Sequence, residues 1–434
     1  MHASDSSSRE RVALVTLARP GARAAAEESL QELGGLARAA GGRVVTSIVQ
    51  ERPAPDPATF LGRGKIQTLS AACAETEAAV VIFDAELTPA QVRNIEAAVD
   101  CIVIDRTQLI LDIFARRAQT REGKGQVELA QLKYLLPRLA GSSAALSRLG
   151  GGIGTRGPGE TKLETDRRRI RQRIHAIADD LDQIRRRRGH LRERRHKASV
   201  PTLALVGYTN AGKTTLFNTL TGQVAEASDA LFVTLDPLVR KMRLPDQRTL
   251  LVSDTVGFID RLPHTLVAAF RATLEEVTGA DLLLHVVDAS SPDRARRLAA
   301  VDTVLREVGA ERVPQLLVFN KCDALSSADE RRLALEAPEA LCVSALTGQG
   351  LDALRQAVAV RLALDTLRIA VELDPENETD RARMADIYRT GRVVHQEMRD
   401  GRMAIEADVP RRLADRFGRA RAARRRRAGA QQHA

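Results

Sequence analysis

Apolar and polar positions alternate in short blocks over the first hundred residues. Apolar runs at Arg11–Ala18, Arg43–Gln50, Ala78–Asp84 and Cys101–Asp105 have strand length, and helix-like stretches at Ala22–Ala40 and Thr88–Val99 lie between them. That rhythm joins parallel strands through helical crossovers, so it predicts a small α/β subdomain over 11–120. The pattern then turns wholly helical. Leucines at 129, 132, 136 and 139 mark one helix, which Pro137 must kink or end early. Leu163, Ile170, Ile174, Ile177, Leu181, Ile184 and Leu191 mark a longer one with arginines on its other faces, and the two stripes predict an antiparallel helical hairpin over 121–198. From Thr202 the strand–helix rhythm returns. Apolar runs at Thr202–Val206, Thr249–Ser253, Leu282–Val287, Leu316–Phe319 and about 340–343 predict a second, mostly parallel sheet over 199–364. A strand, a helix, two strands split near Asp400–Gly401 and a last helix then make a small α+β domain over 365–418. Residues 1–10 read as a disordered start and 419–434 as an arginine-rich tail.

Composition adds class and compartment to this α/β picture. At 434 residues, 44% hydrophobic and 28% charged, the chain is an ordinary globular one, of roughly three domains by length. No apolar run approaches the ~18 residues of a membrane span. The polar N-terminus lacks the apolar stretch of a secretory signal, and Cys73, Cys101, Cys322 and Cys342 show no CxxC spacing; both point to a reducing cytoplasm.

The net charge of +10 is concentrated. Residues 160–197 carry fourteen Lys/Arg against seven Asp/Glu, and 411–434 nine against one, so the remainder is acidic. Localised basicity is what a polyphosphate partner requires, and with 3% aromatics and no Trp, phosphate-backbone contact is a better expectation than base stacking. Between the predicted helices, 141–159 holds seven glycines, Arg148, Arg156 and no acid, a loop able to follow an irregular RNA surface. Arg148, Arg156, Lys162, Arg167, Arg168 and Arg169 are the candidate RNA contacts, with a solvated hairpin tip as the bland alternative.

The chemistry sits in the second sheet. Gly207-Tyr208-Thr209-Asn210-Ala211-Gly212-Lys213-Thr214 follows one apolar strand and precedes a helix starting near Thr215, the context of a GxxxxGK[ST] phosphate loop. Its backbone N–H groups and the helix N-terminus converge on phosphate oxygens, Lys213 adds a positive charge, and the Thr214 hydroxyl is a magnesium ligand. Asp254 at the next strand tip can hold a magnesium-bound water, and the Gly257 N–H can sense a γ-phosphate. After a further strand, Asn320-Lys321-Cys322-Asp323 selects the base. The Asp323 carboxylate accepts two hydrogen bonds from guanine that adenine cannot donate, a discrimination worth about 10⁴ to 10⁵. Ser344-Ala345 can reach the guanine oxygen through backbone N–H. Together these predict a GTP site, with GDP as product.

Thr234 lies in the span of a mobile first switch and can close on magnesium; otherwise it is a strand threonine. With Lys213 and Gly257 it completes the expected catalytic set. Phe258 stands directly after Gly257, where many regulatory GTPases carry a water-orienting glutamine, so unaided hydrolysis should be slow. Asn210 is a candidate ligand for potassium. His285, in an apolar strand, reads as a core residue.

On these residues the chain resembles the HflX family of ribosome-associated GTPases. The resemblance is carried by GYTNAGKTTLFN, FVTLDP, DTVGFIDRLPH and NKCD, and outside the GTPase region by FLGRGKIQTL (60–69), VIDRTQLILDIFARRAQTREGKGQVELAQLKYLLPRL (103–139) and GGIGTRGPGETKLETDRRRI (151–170). It implies binding to the large ribosomal subunit and its rRNA as a monomer, separation of idle or stalled ribosomes, and hydrolysis stimulated by the ribosome. It also implies that 141–159 reaches the peptidyl-transferase region, and, more weakly, that ATP binds near Gly62–Lys65. A GTPase of ribosome assembly or tRNA modification, and a slow signalling module, remain as alternatives.

Overall fold

The computed structural model describes residues 10–139, 162–197, 200–222, 231–232, 234–245, 248–260, 271–363 and 366–410, with 414 and 417. The glycine-rich loop with Arg148 and Arg156, the Lys162 side chain, most of the last expected helix and the arginine-rich tail fall outside them.

The expected N-terminal strands form one parallel sheet: β1 (Arg11–Ala18), β2 (Arg43–Glu51), β3 (Val80–Phe83) and β4 (Ile102–Asp105), in the order β2-β1-β3-β4. Helix α1 (Arg23–Ala39) buries Leu30, Leu33 and Leu36, spaced three residues apart. Thr88 and Gln91 form a reciprocal capping box at the start of a helix with proline in its first turn, which fixes where Pro89–Val99 begins. Two further helices were not anticipated. Arg63–Thr76 buries only Ile66, Leu69 and Cys73, a stripe too thin to stand out. The other, Arg106–Arg117, carries its large apolar residues only over Leu109–Phe114, a run too short to tell helix from strand by its period. Residues Gly62–Lys65 supply the cap and first turn of Arg63–Thr76.

The hairpin pairs Arg121–Arg138 with Lys162–Lys197, and the first helix ends one residue past Pro137. Its fully buried stripe is Val127, Ala130 and Tyr134, not the leucine series, whose Leu132 and Leu136 stay half-buried. The helix therefore serves two neighbours, and the residues against the N-terminal core are the more deeply covered. In the longer helix, Ile177 is buried and Ile170, Ile174, Leu181 and Ile184 are half-buried, so that seam faces its partner.

The second sheet has six strands in the order β10-β9-β8-β5-β7-β6. These are β5 (Thr202–Gly207), β6 (Leu238–Arg243), β7 (Thr249–Asp254), β8 (Leu282–Asp288), β9 (Gln315–Asn320) and β10 (Leu341–Cys342). All pair in parallel except β6, an edge strand antiparallel to β7. His285 on β8 is 3% exposed, and burial lowers its pKa, keeping the ring neutral inside the sheet. Residues Thr366–Leu373, Arg392–Arg399 and Arg402–Pro410 make a small antiparallel sheet beside the helix Glu378–Thr390, as expected.

One apolar cluster crosses the boundaries that the sequence pattern implies. It runs from Leu33 and Leu36 through Ile110, Phe114 and Val127 into Phe232, Leu235, Val256 and Phe258 of the GTPase region. The N-terminal region, the hairpin and the segments beside the phosphate loop share a core.

Candidate functional site

The carboxyl ends of β5, β7, β8 and β9 converge at one edge, where ligands bind in open parallel sheets. There Gly207–Thr214 wraps from β5 into the helix Lys213–Thr221. Gly212 adopts φ +86°, and a Cβ on it would stand 2.2 Å from the Asn320 amide nitrogen, so only glycine fits between helix start and β9. The loop is also stitched to the segment after β7: Thr209 N–H donates to Phe258 O at 2.8 Å, and Phe258 N–H to Gly207 O at 3.1 Å. Phe258 itself is 4% exposed, in the core.

Lys213 is buried and donates to Tyr208 O at 2.8 Å. Burial disfavours its charge and lowers the ammonium pKa to about 8, with Asp254 pulling the other way. A Cβ on Gly257 would lie 2.8 Å from Thr209 Cα and 3.0 Å from Lys213 Nζ, so the second segment approaches the loop backbone closely, next to the ammonium.

Three oxygens meet beside the lysine. Asp254 Oδ2 accepts from Thr214 Oγ and from Thr234 Oγ, each at 2.8 Å, and the two hydroxyls are 2.9 Å apart. Thr234 is thus brought to the site just ahead of β6, whose first residue, Leu238, pairs with Asp254. The Asp254 carboxylate is fully buried, burial raises its pKa, and its Oδ1 has no hydrogen-bond partner. A buried, under-satisfied carboxylate with two hydroxyls on one point is a donor set for a hard divalent cation, so these residues fit magnesium.

In the base-recognition segment the structure adds internal contacts that residue order does not show. Asn320, 2% exposed, does not open onto a pocket: its amide donates to Ala211 O at 2.9 Å and accepts Ala345 N–H at 3.0 Å, tying phosphate loop to the last loop. The Ser344 N–H goes to Gln349 O at 3.0 Å. Both N–H groups expected to face guanine are engaged within the protein, because the turn at Ser344 is fully buried and must satisfy its own backbone. Lys321, at φ +64°, pins its ammonium to Asp288 at 2.8 Å, and Asp323 lies exposed in the following turn. Asn210, also left-handed at φ +60°, stands exposed on the crest of the phosphate loop, and Thr215 is half-buried in the first helical turn.

Of the candidate RNA contacts on the longer hairpin helix, Arg168 and Arg169 are exposed, whereas Arg167 is half-buried. Two other arginines of that helix are paired with acids, Arg173 with Glu128 at 2.7 Å on the surface, and Arg188, half-buried, with Glu122 at 2.9 Å and Glu276 at 3.3 Å.

Two groups escaped the sequence. Tyr208 reaches out of the phosphate loop to Glu32 on α1, which pairs with the buried Arg106 at 2.7 Å. Asp236, inside the FVTLDP run, reaches the start of the hairpin. Neither partner carries a local signal, since tertiary structure alone makes them neighbours.

Three family models match in succession: GTP-binding GTPase N-terminal over 27–115, GTP-binding GTPase Middle Region over 117–195, and 50S ribosome-binding GTPase over 202–321. The GTPase HflX of Caldanaerobacter subterraneus subsp. tengcongensis is 44% identical over 394 residues, covering 90% of each chain. That of Escherichia coli (strain K12) is 46% identical over 385 residues, covering 88% of this chain and 90% of its own. A solved structure of a GTP-binding protein from the archaeon Sulfolobus solfataricus in complex with GDP is 24% identical, covers 81% of this chain and 98% of its own, and has a TM-score of 0.44. With the phosphate loop, the Asn-Lys-Cys-Asp segment and relatives of this identity over nearly the whole chain, the protein is a GTP-hydrolysing enzyme that belongs to the HflX family of GTPases.

Proposed function

We propose that the protein is a magnesium-dependent GTP switch of the cytoplasm that docks as a monomer on the large ribosomal subunit and promotes separation of idle or stalled ribosomes. The partner is supported by the match of 202–321 to a 50S ribosome-binding family and by the basic, solvent-facing side of the long hairpin helix. The switch rests on one observation, the meeting of Thr214, Thr234 and Asp254 on a single point.

In this reading Thr214 and Thr234 would hold magnesium directly and Asp254 through water, and the ion would supply positive charge against the phosphate oxygens. The amides of Gly207–Thr215 cradle the phosphates, Lys213 steadies the same oxygens, and the Gly257 N–H accompanies the γ-phosphate. Asp323 selects guanine, the Lys321 stem covers the base, and Asn320 with Ser344 and Ala345 sets the distance from base pocket to phosphate loop. Asn210 on the loop crest can offer its amide oxygen to potassium. Because Phe258 is buried and cannot orient water, ribosome contact aligns the attacking water. The hairpin, 121–198, is the RNA-binding arm, and 11–120, 199–364 and 365–418 are the other units.

The test is GTP turnover by the protein alone, with large subunits and with intact ribosomes. Stimulation of at least tenfold and a steep fall of binding with salt are expected. No stimulation by ribosomes, but stimulation by assembly precursors, would replace this reading with one in ribosome biogenesis.

A further inference from the structure

The segment carrying Thr234 is fastened to the N-terminal half at successive points. Leu231 packs 3.1 Å from where a Cβ on Gly35 of α1 would stand, and Phe232 meets the Phe114 ring edge-on with centroids 4.8 Å apart. Asp236 then accepts three hydrogen bonds from the cap of the hairpin helix Arg121–Arg138. The Gln119 and Thr120 N–H groups reach one carboxylate oxygen at 3.0 Å each, and the Thr120 hydroxyl reaches the other at 2.5 Å. Thr120 is itself the N-cap, accepting the Gly123 N–H at 2.9 Å. A carboxylate here is favoured by the unpaired N–H groups and by the helix dipole.

Gly123 shows that the fit is specific. It sits in the first turn of the helix, where alanine would be the better helix former. A Cβ there would fall 2.4 Å from Asp236 Oδ1 and expel the carboxylate.

We propose that Asp236 is a positioning residue that couples the nucleotide to the hairpin. Docked on the helix start, it holds Thr234, two residues away, at the Thr214–Asp254 oxygens; reciprocally, closure of Thr234 fastens the hairpin's first helix. Coupling of this kind is symmetric by linkage, so what steadies the GTP form also reports it to the RNA-binding arm. The inference rests on the reading above in which Thr234 closes on magnesium.

The test uses the full chain and the variants Gly123→Ala, Asp236→Asn and Thr234→Ala. Affinities for a non-hydrolysable GTP analogue and for GDP are measured across a magnesium titration, with hydrogen exchange of the 119–123 amides in both nucleotide states. In the unmodified protein those amides should exchange more slowly with the GTP analogue than with GDP. Gly123→Ala and Asp236→Asn should erase that difference and weaken analogue binding on the order of tenfold, with GDP affinity within about twofold. Gly123→Ala replaces a poor helix former with a good one, so its effect cannot be charged to a weakened helix. If both variants keep the unmodified exchange pattern and affinities while Thr234→Ala loses its magnesium-dependent preference for the analogue, the magnesium reading stands and the coupling is wrong. If Thr234→Ala retains that preference, the reading of Thr234 falls and the coupling with it.

Discussion

Tyr208 on the phosphate loop donates its hydroxyl to Glu32 on α1 at 2.5 Å and accepts the Asp260 N–H at 2.8 Å, so one phenol joins the GTP loop, the segment after β7 and the N-terminal region. Burial and the adjacent carboxylate raise the phenol pKa and keep it a donor. Behind it, Arg106 is 3% exposed and pairs at 2.7 Å with both Glu32 and Asp84.

The two sides of that cluster differ in cost. Tyr208→Phe removes a neutral donor while Glu32 keeps its arginine, and should cost about 1–2 kcal/mol. Arg106→Met leaves Glu32 and the fully buried Asp84 without a cation and should cost about 3–5 kcal/mol. Denaturant unfolding with nucleotide present measures both. An Arg106 variant no weaker than the Tyr208 variant would show that the ion pair is replaceable.

Phe258 occupies the position of a water-orienting glutamine, but it lies in the apolar cluster with Val256 and Leu235. Phe258→Gln should therefore fail to accelerate unstimulated turnover and should lower stability by on the order of 3 kcal/mol, through lost burial and a buried amide. Single-turnover hydrolysis alongside thermal unfolding checks this, and a faster, equally stable variant would overturn it.

Much of this architecture could be read from residue order because it depends on local patterns. The parallel strands are continuous apolar runs, and the phosphate loop needs its glycines and lysine at fixed spacing. Elements with short or mixed patterns were harder: Arg106–Arg117 confines its large apolar residues to Leu109–Phe114, a run as short as a strand, and β6, with only Met242 buried among LVRKMR, looks like a polar linker. The base segment is legible as Asn-Lys-Cys-Asp, but a sequence does not reveal that Asn320 spends its amide on backbone groups 109 and 25 residues away. Glu32 and Asp236 were illegible for the same reason.

Asn320 and Asp323 should separate experimentally. Asp323→Asn changes only the pattern offered to the base, and should move preference from GTP toward xanthosine triphosphate by several orders of magnitude while keeping phosphate-loop geometry. Asn320→Ala frees the Ala211 carbonyl and the Ala345 amide, both buried, and should weaken every purine nucleotide alike and cost about 2–3 kcal/mol. Competition binding with GTP, GDP and xanthosine triphosphate tells them apart. Retained affinity in Asn320→Ala would mean that the clamp is dispensable.

The depressed pKa of Lys213, about 8, gives binding and stability opposite slopes with pH. In the unfolded chain the lysine titrates near its ordinary value, so between pH 8 and about 10 the unfolded state binds more protons than the folded one. Stability of nucleotide-free protein should then gain a positive contribution from this residue as pH rises through that window. Nucleotide binding goes the other way, because phosphate oxygens favour the charged ammonium and must draw a proton from solution where the free lysine is neutral. Calorimetry of GDP binding at pH 7 and pH 9 in buffers of different ionisation enthalpy should show proton uptake only at the higher pH, together with weaker affinity. Lys213→Met should abolish the uptake and flatten the stability slope. Uptake that persists in that variant would assign the titration to another group, with the buried Asp254 the next to examine.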